Sequence, residues 1–103
     1  MSQKDATQST PNVRTLLQPH LPDLTRRYHI RTLHLFGSYV RGEAKKSSDI
    51  DLLIDFDRTP TLFELMDLEE EMEDILQRDV DLVTEKSLRG TIGQRIRSEA
   101  VPV

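Results

Sequence analysis

The chain has 103 residues and a formal net charge of −4, with 14 Lys and Arg against 18 Asp and Glu. It has no cysteine, which excludes disulfides and thiolate metal sites, and no apolar run approaches the ~18 residues of a membrane-spanning helix. A chain of this length reads as one domain that buries about 65% of its extended surface. No signal-peptide pattern opens it, so a cytoplasmic protein without membrane contact is expected, and the acidity argues against broad nucleic-acid binding.

Residues 1–10 are polar and patternless and are expected to form a disordered N-terminus ahead of a domain spanning 11–103. Over 11–28, Val13, Leu16, Leu17, Leu21 and Leu24 recur at helical spacing. Thr10 before Pro11 resembles an N-cap followed by proline at the first helical position, and Pro19 and Pro22 predict a break or kink. Residues 32–36 are a short apolar run ended by Gly37, which predicts a strand. Ile50, Leu52, Ile54 and Phe56 alternate with Asp49, Asp51, Leu53 and Asp55, the pattern of a strand with one strongly apolar face.

Thr59-Pro60-Thr61 turns the chain and supplies a cap for a helix over 61–77. Its expected buried stripe is Leu62, Leu65, Met66, Met72, Ile75 and Leu76. Leu62, Phe63, Leu65, Met66, Leu68 and Met72 fall within eleven residues, more than one stripe needs, so part of this helix is expected to stay exposed for association. Its acidic run, Glu69, Glu70, Glu71, Glu73 and Asp74, reads as a solvated face. Residues 80–83 predict a third strand. Residues 87–98 predict a closing helix with Leu88, Ile92 and Ile96 inside, although Gly90 and Gly93 are poor helix formers. The fold class is therefore α/β, a small mixed sheet of three to five strands packed by helices.

The chemistry concentrates between Gly37 and Asp51. Gly37 and Ser38 end a strand in a turn whose backbone N–H groups suit phosphate oxygens. Asp49 and Asp51 stand two apart at the start of the next strand, their Cα atoms roughly 6.6 Å apart on one face. A hard divalent cation takes oxygen ligands from such a pair. Taken singly, Gly37 reads as a turn glycine, and Asp49, Asp51 and Asp55 as an acidic exposed face; the combination points to nucleotidyl transfer. Asp81 interrupts an apolar run, which is costly unless the carboxylate is paired or binds metal, and Asp79 is its rival two residues earlier. Arg41, Lys45 and Lys46 lie in the intervening loop, placed to neutralise a triphosphate. A Walker A loop is rejected because Glu43 stands where its lysine belongs, and a calcium loop because of Leu53 and a missing glycine. His29 and His34 read as packing or surface residues.

Gly37-Ser38, ten residues, then Asp49-Ile50-Asp51 resembles the signature of the DNA polymerase β-like nucleotidyltransferase superfamily. Leu35-Phe36-Gly37-Ser38, Arg41-Gly42-Glu43-Ala44, Ser48 to Leu53 and Val80-Asp81-Leu82-Val83 resemble more narrowly the minimal nucleotidyltransferases (MNT), antitoxins paired with HEPN ribonuclease toxins. The resemblance covers about residues 13–101. It implies a nucleotidyltransferase fold in which Asp49, Asp51 and Asp81 hold two Mg²⁺ ions and Asp81 helps activate the attacking hydroxyl. Gly37, Ser38, Arg41 and Ser48 would bind the nucleotide. The implied activity is transfer of AMP from ATP to a tyrosine of a cognate HEPN toxin, within a hetero-oligomeric, type VII-like toxin–antitoxin pair. Arg14 and His20 have the spacing of HEPN ribonucleases, but that fold is all-helical and the match reads as chance. Two rivals stand beside this reading: an antitoxin acting by occlusion, and a small-molecule, aminoglycoside-type transferase, for which no second substrate domain is evident.

Overall fold

The computed structural model describes residues 12–45 and 47–103. The expected disordered segment 1–10, the Thr10–Pro11 cap and Lys46 lie outside those residues. Helix α1 (Val13–Leu17) is capped by Asn12, whose Oδ1 accepts from the Thr15 N–H at 3.1 Å. The predicted break at the prolines takes the form of two restarts. Pro19 enters a 3₁₀ turn (Gln18–His20), and Pro22 lies in the first turn of α2 (Leu21–Tyr28), where a missing N–H costs no helical bond. His29, at φ 59°, closes α2 in the left-handed conformation.

Strand β1 (Ile30–Phe36) begins two residues earlier than the apolar run suggests, and the Gly-Ser turn leads into a single helical turn, α3 (Ser38–Arg41). After the loop come β2 (Ile50–Phe56), α4 (Leu62–Leu76), β3 (Val80–Thr84), a 3₁₀ turn (Glu85–Ser87), α5 (Gly90–Glu99) and β4 (Val101–Pro102). The sheet order is β3-β2-β1-β4. β1 runs antiparallel to both β2 and β4, whereas β2 and β3 are parallel. A parallel pair needs a crossover, and α4 supplies it. β4 is two residues long, too short to leave a periodic signal.

One sheet face carries the main core: Ile50, Leu52 and Ile54 are fully buried against Leu17, Leu24, Leu68, Met72 and Leu76. The other face is smaller and is covered by α5, where Phe36, Leu53 and Leu88 cluster with Ile96 and Ala100. Leu53, which the alternation placed on the polar face, is therefore 1% exposed. Ile92 was expected inside, yet it is 72% exposed. Gly93 makes the close contact of α5 in its place, since a Cβ there would come within 3.0 Å of Leu88 Cβ. Leu88 itself precedes the helix.

The buried stripe of α4 is Leu68, Met72 and Leu76. Leu62 and Met66, expected within it, are exposed together with Phe63, because the first turns of α4 project past the sheet that the later turns cover. The acidic run is not simply a solvated face. Glu71 accepts from Arg27 Nη1 and Nη2 at 2.9 and 2.6 Å and from the Tyr28 hydroxyl. These bonds, Arg27 first, lower its carboxyl to about 2. Glu73 accepts the Val80 N–H at 3.0 Å, so α4 satisfies an outward-facing backbone group of the edge strand β3.

Thr61 and Glu64 form a capping box: Thr61 Oγ1 accepts the Glu64 N–H at 3.1 Å and Glu64 Oε1 accepts the Thr61 N–H at 2.8 Å. Thr61→Ala is expected to cost about 1 kcal/mol, read as a lower urea midpoint at unchanged slope. An unmoved midpoint would show that the cap contributes nothing.

Candidate active site

The C-terminal end of β1 and the N-terminal ends of β2 and β3 meet at one edge of the sheet. The parallel register pairs Ile50 with Val80 and hence Asp51 with Asp81. The antiparallel register sets Phe36 opposite Asp51. Asp49 stands exposed just before β2. The pairing treats Asp79 and Asp81 differently: Asp79 offers its backbone carbonyl to the Ile50 N–H at 2.9 Å, whereas Asp81 is the residue in register with Asp51. Asp55 lies toward the far end of β2, 3.6 Å from Arg31, and takes no part.

Gly37 has φ +80° and ψ −151°, a conformation open in practice only to glycine. A Cβ on it would fall onto the Asp51 carboxylate, 3.1 Å from Cγ, so the missing side chain is what lets that carboxylate lie against the turn. The Gly37 carbonyl accepts from the N–H groups of Val40 and Arg41 at 3.0 and 3.1 Å, which closes α3. Ser38 is the first residue of that helix and is half-buried. Arg41 turns back over the site: its Nε donates to Glu43 at 2.9 Å, and its Nη1 donates to Glu99.

Ser48 plays a local part, since its Oγ accepts the Lys45 N–H at 2.8 Å and its own N–H returns to the Lys45 carbonyl at 3.0 Å. This turn sets the approach to Asp49 and leaves Lys45 exposed. A cavity of about 260 Å³ opens between Gly37, Arg41 and Asp51 on one side and Ile92, Arg95 and Glu99 of α5 on the other. Those three α5 residues are the part of the site that sequence reasoning missed. Basic residues concentrated between Lys86 and Arg97 signalled Arg95 alone, and nothing said that α5 folds across the aspartates.

The electrostatics are those of crowded carboxylates. Burial, then Asp81, then Asp49 push the Asp51 carboxyl up to about 6, with Arg41 opposing. Hard oxygen donors short of countercharge fit a hard divalent cation. Among the described residues no three His, Cys, Asp or Glu side chains are gathered into a metal cage. Mg²⁺ needs none, since it is commonly held by one or two carboxylates with substrate phosphates and water completing its shell. Asp49, Asp51 and Asp81 therefore suit Mg²⁺ with a phosphate substrate better than a structural metal. Elsewhere, Arg14 Nε donates to the Pro102 carbonyl at 2.9 Å, a structural tie. His34 lies on β1 with Nδ1 buried, and His29 closes α2.

Comparisons with known proteins give the family and the fold. A model of the nucleotidyltransferase domain matches residues 18–101. The protein adenylyltransferase MntA of Thermococcus cleftensis is 42% identical over 91 residues, covering 88% of this chain and 92% of that one. A solved structure whose assignment as a minimal nucleotidyltransferase is provisional aligns with a TM-score of 0.75 at 32% identity, over 92% of this chain and 99% of the other. A solved toxin–antitoxin complex with AMP-PNP aligns with a TM-score of 0.68 at 25% identity, over 82% of this chain and 70% of that one. The chain thus belongs to the nucleotidyltransferase domain family, as a homologue of the protein adenylyltransferase MntA.

Proposed function

We propose that this protein is a Mg²⁺-dependent protein adenylyltransferase that acts as an antitoxin, transferring AMP from ATP to a tyrosine of a cognate HEPN ribonuclease toxin. The observation that carries the reading is the in-register pair Asp51–Asp81 lying beside a glycine turn that accepts no side chain. The MntA relative and the toxin–antitoxin complex with AMP-PNP support it. In the reaction the tyrosine oxygen attacks the α-phosphorus of ATP, the bond to the bridging oxygen breaks, and pyrophosphate leaves. Asp49, Asp51 and Asp81 would hold Mg²⁺, which supplies charge neutralisation and alignment when bound. Asp81, the more exposed of the strand pair, is suited to take the tyrosine proton. Gly37, Ser38 and Arg41 orient the phosphates, and Ser48 holds the loop leading into Asp49.

The partner would anchor away from the chemistry. Leu62, Phe63 and Met66 are 69%, 77% and 55% exposed on the first turns of α4. Because α4 runs back between two parallel strands, these turns lie near the C-terminal end of β2, roughly 16 Å of strand from Asp51. An adjoining mainly apolar cavity of about 220 Å³ is lined in part by Phe56, Pro60 and Leu65. A helical toxin seated there must extend along the molecule to present its tyrosine at the other end.

Transfer, stability and association each test this reading. A cognate toxin incubated with the protein and Mg²⁺ is expected to take label from α-labelled ATP and none from γ-labelled ATP, and to gain mass in AMP units. Asp49→Asn and Asp51→Asn should each reduce transfer by at least about a hundredfold while the protein stays folded. Label from the γ position would instead mean kinase chemistry, although β1 carries no lysine to serve it. Transfer retained by either variant would move the site.

The second outcome concerns stability without metal. The folded pKa of Asp51 is raised, so its contribution to stability is full below 3.8 and is lost as pH rises through about 6. In EDTA, Asp51→Asn should therefore melt higher than wild type at pH 7.5 and no higher at pH 3.5. An equal difference at both would contradict the crowding. Third, Phe63→Asp should abolish co-purification with the toxin at unchanged melting temperature. Retained association would place the interface elsewhere.

A further inference from the structure

Among the described residues, Glu99 is the one carboxylate lining the cavity with no part in the reaction above. It ends α5 and reaches back over the glycine turn. Its Oε2 accepts the Gly37 N–H at 2.7 Å and Arg41 Nη1 at 3.1 Å, while Oε1 accepts from the same Arg41 nitrogen at 3.2 Å. The side chain is 20% exposed. A backbone N–H at a glycine turn together with a guanidinium is a donor pair suited to a phosphate oxygen. Here a carboxylate of the chain itself fills that pair. Arg41 is also engaged by Glu43, so its charge is matched twice before any ligand arrives.

We propose that Glu99 is a positioning residue that serves as an internal substitute for a nucleotide phosphate, holding Gly37 and Arg41 in place in the free protein and withdrawing when a nucleoside triphosphate enters. This rests on the nucleotide reading given above. The exchange of one anion for another keeps the Gly37 N–H and the guanidinium hydrogen-bonded throughout, which avoids the cost of leaving either unpaired in a partly buried site. It also weakens nucleotide binding, because the incoming polyanion must displace a like charge from its own donors. Glu99 thereby sets the affinity of the site for triphosphate, with no contact to the reacting atoms.

Glu99→Gln keeps an oxygen acceptor for the Gly37 N–H and removes the charge. Glu99→Asp keeps the charge and draws it back by one methylene, away from one of its two donors. The full chain is titrated calorimetrically with α,β-methylene-ATP and Mg²⁺, without acceptor, so that nothing is cleaved. Glu99→Gln is expected to lower the Kd roughly fivefold or more, with Glu99→Asp between it and wild type. Thermal melts identify a poorly folded variant, and the other then carries the test. A carboxylate that merely ties α5 to the turn would give the opposite result, weaker binding in both variants. Wild-type binding with neither variant tighter overturns the proposal and leaves the nucleotide reading standing. No binding by any of the three proteins overturns that reading, and the proposal with it.

Discussion

Asp51 and Asp81 lie side by side because β2 and β3 run parallel with Ile50 opposite Val80. Side chains alternate with a period of two along a strand, so a slip of one residue would turn Asp81 to the opposite face and disperse the site. The register is held from below by packing. Ile50, Leu52 and Val80 share a core with Leu68, Met72 and Leu76 of α4, the helix that makes the crossover. Asp51 is partly buried beside the charges of Asp81 and Asp49, and its elevated pKa records the cost of that burial first and of the repulsion second. The apolar face of the sheet offsets it, a division in which the site is unfavourable and the scaffold is not.

Gly37 connects this strand geometry to the turn. Its positive φ directs the chain from β1 into α3, and its lack of a side chain admits the Asp51 carboxylate. Alanine there would be strained by its backbone and would strike Asp51 as well. The second face of the sheet completes the arrangement. Phe36, Leu53 and Leu88 seat α5, and α5 carries Ile92, Arg95 and Glu99 to the mouth of the cavity. Gly93 permits that close seating, because a larger residue would press on Leu88. The small second core thus exists in the service of position: it adds few buried residues and determines where Glu99 and Arg95 lie.

Helix α4 joins the two ends of the molecule. Its later turns pack on the sheet, and their carboxylates tie neighbouring elements together, Glu71 to α2 through Arg27 and Tyr28 and Glu73 to the edge of β3. Its first turns carry exposed Leu62, Phe63 and Met66 beyond the sheet. The aspartates and the exposed first turns of α4 therefore lie at opposite ends of β2. The separation follows from the antiparallel run of a crossover helix between two parallel strands.

Much of this was legible in the sequence by itself. The alternation of Ile50, Leu52, Ile54 and Phe56 determined β2, the Thr59-Pro60-Thr61 turn with its following stripe determined α4, and the Gly37-Ser38 to Asp49-Ile50-Asp51 spacing marked out the candidate site, because each is local and written in adjacent residues. The surplus of apolar residues at the start of α4 foretold the exposed patch, though Leu62 and Met66 could not be sorted from the buried stripe by periodicity alone. Only the tertiary structure decided that Asp81 and not Asp79 faces Asp51, that Leu53 is buried and Ile92 is not, that a two-residue β4 closes the sheet, and that Glu99 sits on Gly37 and Arg41. Each of these depends on which distant element covers a given face. Glu99 meets its partners across 58 and 62 residues of chain, a contact made by the packing of α5 and not by any local spacing.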